Sequence, residues 1–154
     1  MSSAAERLAA LGLTLPPVTA PVAAYVPAVR TGSYVYVSGQ LPVVDGKLPA
    51  TGKVGDAVSA ADAAVMARTC ALNALAAAAA AAGGLDAIRR IVKVVGFVAS
   101  APGFNGQPQV INGASDLLMA VFGEAGRHVR AAIGVSGLPR NALVELQMVV
   151  EAVD

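Results

Sequence analysis

Between Ser59 and Gly84 the chain reads SAADAAVMARTCALNALAAAAAAAGG, and no other stretch limits the fold so tightly. Ser59 followed by Asp62 resembles a capping box, with Asp in place of the usual Glu. It predicts a long helix running to about Ala82. Val65, Met66, Thr69, Leu72 and Leu75 recur at helical spacing, and Gly83-Gly84 supply the stop. Alanine has the highest helix propensity. Its small side chain also lets a helix lie close to a sheet.

The remaining elements follow from punctuation and period. Residues 3–11 predict a short helix ended by Gly12, and Pro16, Pro17 and Pro21 an extended connector. Residues 1–22 are thus expected as an N-terminal extension to one domain over 23–154. AYVPAVRTGSYVYVSGQLPVV predicts a hairpin turning at Thr31-Gly32, with Pro27 placing its first strand at an edge or at a strand start. A strand is expected over 90–99. A second helix should run from Pro108 to about Phe122, with Ile111, Ala114, Leu118 and Val121 as its apolar stripe. Strands near 129–136 and 142–152 complete the set. This mixture predicts an α+β two-layer domain, with a four- or five-stranded sheet and two long helices on one face. Strict alternation would put Val92, Val94 and Val98 on one side of their strand, and Val144, Leu146, Met148 and Val150 on one side of the last. The sheet face away from the helices then needs a partner, so a homo-oligomer is expected.

The chain has 154 residues, 56% of them hydrophobic and 14% charged, with a formal net charge of +1. That balance excludes disorder over most of its length. With no basic stripe, it argues against nucleic-acid binding. The one cysteine, Cys70, allows no internal disulfide and reads as a buried, inert thiol. No His/Cys cluster suggests a metal site. Glu6 and Arg7 interrupt the N-terminal apolar stretch, which is not a signal peptide. Ala74 to Leu85 is too short to span a bilayer, which takes about 20 residues. A soluble, cytoplasmic protein is expected.

Few polar groups are placed for chemistry. Arg130 could clamp a carboxylate through its planar fork of donors; it could equally be a strand-end arginine in solvent. Glu145 interrupts the apolar run LVELQMVV, where a carboxylate in a low-dielectric cleft could act as a general base. The plain alternative is a solvated position beside Gln147. His128, the only histidine, reads most simply as an exposed loop residue. Asn112 and Ser115, one helical turn apart, read most simply as capping or packing.

Three stretches taken together resemble the Rid family, also called YjgF-type or L-PSP endoribonuclease. They are YVPAVRTG with YVSGQLP, the block ALNALAAAAAAAGGLDAIRRIVKVVGFV, and HVR followed by LPRNALVE. The resemblance spans roughly residues 23–150. It implies a bacterial chorismate-mutase-like α+β fold, a homotrimer with clefts between subunits, and hydrolysis of reactive enamines and imines such as 2-aminoacrylate to 2-keto acids and ammonia. No cofactor is implied. Family positions carry over to Arg130 as the holder of the substrate carboxylate and to Glu145 as the group that positions water. They also carry over to Tyr25, Ser38, Gly39 and Asn112 as substrate contacts, with Arg130 and Glu145 facing a common cleft at a subunit boundary. Many members have a cysteine two residues after the arginine, where this chain has Ala132. The longer loops SAPGFNGQPQ and FGEAGRH resemble a divergent subgroup. A non-catalytic binder of keto acids or related anions is the alternative. A ribonuclease is disfavoured by the near-neutral charge and the single histidine.

Overall fold

The computed structural model describes every residue except Thr19 and Val22. Helix α1 spans Ala4–Ala10, and its N-terminus is closed by a reciprocal Ser3–Glu6 capping box. Strands β1 (Ala28–Thr31) and β2 (Tyr34–Gln40) form the hairpin, with β1 starting directly after Pro27. Helix α2 is Ala60–Ala82, β3 is Ile88–Ala99 and α3 is Gln107–Phe122. Strand β4 is Val129–Val135 and β5 is Val144–Ala152. The order in the sheet is β1-β2-β5-β3-β4, so the last strand slides between β2 and β3. Only β3 and β4 run parallel, joined through α3. The result is the expected α+β arrangement: one mixed sheet, with α2 over β2 and β5 and α3 over β3 and β4.

Helix α2 faces the sheet through its smallest residues. Ala63, Ala67, Cys70, Ala71, Ala74, Ala77 and Ala78 are buried, whereas Val65 is 57% exposed and Met66 and Leu72 only half-buried. Of the bulkier stripe expected from spacing, Leu75 is fully buried while Val65, Met66 and Leu72 are displaced toward the rim, so the seam consists mainly of methyl groups around Leu75 and Cys70. The start of α2 forms half of the expected box, with Ser59 Oγ accepting from the Asp62 amide. Its 23 residues are long and apolar enough to cross a membrane by composition alone, more than the Ala74–Leu85 segment suggests. The helix is instead packed as the core of this layer. In α3, Ile111, Ala114, Leu118 and Val121 are fully buried, as their spacing predicts.

Strand β3 departs from strict alternation. Its register against β5 shifts between Ile88 and Arg90 and again between Ile91 and Lys93. These irregularities put Ile91 beside Val94 and Val98 in the core and turn Val92 out of it. Strand β5 alternates cleanly: Val144, Leu146, Met148 and Val150 are buried under the helices, and Glu145, Gln147, Val149 and Glu151 are not. Ala142 and Leu143 precede this strand and are fully buried.

The face opposite the helices is open. Val29, Tyr34, Tyr36, Val129 and Ile133 are each at least 43% exposed there or at its margins. The N-terminal segment packs onto the domain. Leu8 is buried, the Ala5 amide donates to Asp86 Oδ1 at 2.9 Å, and Arg7 reaches the Val121 carbonyl.

Candidate functional site

Arg130 lies near the start of β4, a sheet edge, in register with the buried Val94 of β3. Its side chain therefore points to the helix side and over the first turns of α3. Nη1 donates to Asn112 Oδ1 at 2.8 Å and to Ser115 Oγ at 3.1 Å, and Nη2 donates to the Pro108 carbonyl at 3.3 Å. A guanidinium has five N–H groups. Three are taken, which leaves Nε–H and one Nη2 hydrogen. These two remain to meet a carboxylate, as a side-on fork when the Pro108 carbonyl takes the Nη2 hydrogen nearer Nη1. Asn112 and Arg130 are exposed, so the fork is open to a ligand.

Ser115 and His128 belong to the same group, which spacing alone did not reveal. His128 is half-buried rather than an exposed loop residue, and both ring nitrogens have partners: Nδ1 lies 2.6 Å from the Gly126 carbonyl and Nε2 lies 2.9 Å from Ser115 Oγ. The three-residue spacing of Asn112 and Ser115 is the signal that could have marked this helix face. Ala132 follows on the same side of β4, packed against the core.

Tyr25, Ser38, Gly39 and Glu145 form a second group at the other end of the sheet. Ser38 Oγ donates to the Val26 carbonyl at 2.7 Å, and its amide donates to the Pro27 carbonyl at 2.8 Å, fixing the segment that carries Tyr25. The β2–β5 register shifts between Val37 and Gln40, opening the strand at Ser38 and Gly39. The Glu145 carboxylate fills the space a side chain at 39 would need: a Cβ on Gly39 would stand 2.5 Å from Oε1. Glu145 is half-buried, and burial pushes its pKa above the ordinary glutamate value. Among the described residues none makes a hydrogen bond to it. Tyr25 and Gly39 also line a cleft of about 320 Å³ with Pro27, Leu41, Asn73 and Arg140. Arg140 and Asn141 at its rim both hold positive φ, 58° and 59°.

The two groups do not meet within one chain. Glu145 sits on β5 opposite Phe97 and between the fully buried Val144 and Leu146, so it faces the open side of the sheet. Arg130 faces the helix side, one strand beyond β3. Cys70 makes no hydrogen bond to a side chain of either group. It is fully buried, its Sγ lies 3.7 Å from the Val144 carbonyl, and burial, then the Glu145 charge, raise its pKa, so the thiol is inert. Among the described residues no cluster of His, Cys, Asp or Glu could hold a metal ion.

Comparison with known proteins identifies the family. The family model described as "YjgF/chorismate mutase-like, putative endoribonuclease" matches residues 5–152. Protein TCP17 of Trypanosoma cruzi is 45% identical over 148 residues, covering 96% of this chain and 92% of that protein. The crystal structure of Atu1372 from Agrobacterium tumefaciens superposes with a TM-score of 0.90 at 50% identity, covering 97% of this chain and 92% of that one. A Shewanella oneidensis structure titled as a putative endoribonuclease gives a TM-score of 0.93 at 35% identity, covering 97% and 99% of the two chains. The fold, the motifs around Ser38 and Arg130 and the extent of these matches agree: this chain belongs to the YjgF/L-PSP family, with its chorismate-mutase-like fold.

Proposed function

We propose that this protein hydrolyses small enamines and imines bearing a carboxylate, of the 2-aminoacrylate kind, to 2-keto acids and ammonia. The reaction would occur in clefts between the subunits of a homotrimer. The observation that carries this reading is Glu145: a half-buried carboxylate, raised in pKa and without a hydrogen-bond partner among the described residues, set over a glycine between fully buried Val144 and Leu146. A group left in that state is suited to taking a proton from water. The open sheet face supports assembly, because an apolar surface of this extent calls for a cover. One subunit would supply Arg130 and Asn112, and its neighbour Tyr25, Ser38, Gly39 and Glu145.

The chemistry then follows from these groups. The free fork of Arg130 fixes the substrate carboxylate and so orients the reacting carbon. An enamine takes a proton from solvent at its terminal carbon to become the iminium. Water adds to the iminium carbon, giving up one proton to Glu145. That proton returns to the nitrogen, and as the carbinolamine collapses its hydroxyl proton passes back to the Glu145 carboxylate, so that ammonia leaves and the keto acid forms. No cofactor enters these steps. The reading places the protein in the cytoplasm, with neither nucleic acid nor membrane as a partner.

A second reading, a non-catalytic binder of keto acids, is favoured by Ala132, which puts an inert methyl where many relatives carry a thiol. One experiment separates the two. An amino acid oxidase generates imines in the presence of semicarbazide, and the rate of semicarbazone formation is followed. Wild type should suppress trapping and Arg130→Ala should not. Equal trapping with every variant, alongside keto-acid binding by wild type, would leave the binder reading in place.

A further inference from the structure

We propose that His128 and Ser115 are positioning residues for Arg130: together they hold its guanidinium with the side-on fork free before any ligand arrives. The inference rests on the reading of Arg130 as the carboxylate holder and adds to it how an exposed arginine on an edge strand is kept in one conformation.

The hydrogen bonds set the argument. The Gly126 carbonyl can only accept, so the nitrogen 2.6 Å from it, His128 Nδ1, carries the proton. The neutral ring then has an acceptor at Nε2, and the hydroxyl 2.9 Å away, Ser115 Oγ, donates to it. With its hydrogen committed to His128, Ser115 Oγ turns a lone pair to Arg130 Nη1 at 3.1 Å. Without the histidine, a serine inside a helix commonly turns its hydroxyl to the carbonyl four residues back. Arg130 would then keep only Asn112 and the Pro108 carbonyl. Gly126, the origin of the chain, is buried at the end of the turn Gly123–Gly126, so the anchor is fixed. A free arginine side chain has rotamer entropy to lose on binding; fixing it beforehand lowers that cost to the ligand.

Two measurements test this. The chain has a single histidine, so ring nitrogen NMR on protein labelled with 15N-histidine reports one residue without ambiguity. Wild type should give a protonated Nδ1 and an unprotonated, hydrogen-bonded Nε2. Ser115→Ala should move the Nε2 resonance. A ring protonated at Nε2 overturns the network, with no ligand involved. The second measurement is pyruvate binding by calorimetry, together with kcat and KM on an oxidase-generated imine. Ser115→Ala and His128→Phe should each weaken pyruvate by roughly fivefold, the size of one typical hydrogen bond. KM should rise with kcat unchanged, and Ser115→Thr, which keeps the hydroxyl, should restore wild-type values. A general loss of fold would instead lower the apparent kcat, with KM unchanged, in all three variants. If Ser115→Ala and His128→Phe bind as wild type does while Arg130→Ala loses pyruvate, the positioning role is wrong and the carboxylate reading stands. If Arg130→Ala binds as wild type, both are wrong.

Discussion

Arg130 and Glu145 stand on opposite faces of one sheet, on strands separated by β3, with the former in register with buried Val94 and the latter with half-buried Phe97. Both cannot serve one cleft of a single chain. On the proposed reading each chain would carry one half of a site at each of two places, Arg130 with Asn112 over α3 and Glu145 with Gly39 on the open face.

Subunit mixing checks this division. Arg130→Ala and Glu145→Ala should each be inactive alone. Unfolded together in equal amounts and refolded, they should recover about one quarter of wild-type activity, since random assembly in a ring pairs an intact arginine half with an intact glutamate half at that frequency. Recovery of nothing beyond the separate variants would place both residues in a single-chain site.

Glu145→Gln should change the pH dependence of stability in a defined direction. Burial raises the folded-state pKa, so the folded chain holds the proton at pH values where the unfolded chain has released it. Stability is therefore greatest below the ordinary value of 4.5 and declines as pH rises through the raised value. The glutamine variant lacks this decline and should be the more stable protein at pH 7.5, with the advantage gone at pH 4. Urea unfolding at the two pH values is the measurement.

Gly39→Ala should separate activity from stability. The added methyl meets the end of a flexible side chain, which can swing aside. Tm should move by no more than a few degrees, while imine hydrolysis falls sharply because the carboxylate has left its place. Parallel thermal melts and trapping assays report the two effects.

Gly113→Ala should do the opposite. A Cβ there runs into the Ala64 carbonyl, a backbone atom of the facing helix, so α2 and α3 must separate. Alanine gains about 1 kcal/mol of helix propensity, but overpacking at a rigid contact costs about 1–3 kcal/mol. A lowered Tm with the remaining activity per folded molecule intact is expected from melts and active-site titration.

Much of this molecule could be read before folding it. The Pro, Gly and capping signals placed all three helices and five strands to within a few residues, and one carboxylate inside LVELQMVV was enough to single out Glu145. What escaped depends on neighbours distant in sequence. Val92 left the core because β3 slips against β5, and nothing within β3 reports that slip. The facing of Arg130 relative to Glu145 depended on which strands pair. Ser115 and His128 looked like packing and loop because their contact joins a helix to a strand entry 13 residues on.

The methyl-lined seam under α2 has a thermodynamic corollary. Alanine has no rotamers to surrender on folding, unlike leucine or isoleucine, each of which gives up about 0.5–1 kcal/mol. The layer that backs Gly39 and Glu145 is thus ordered largely by fixing backbone, and once the helix is laid down only Leu75 and Cys70 on its buried face have rotamers to choose. The sheet beneath the carboxylate rests on a surface with little left to rearrange.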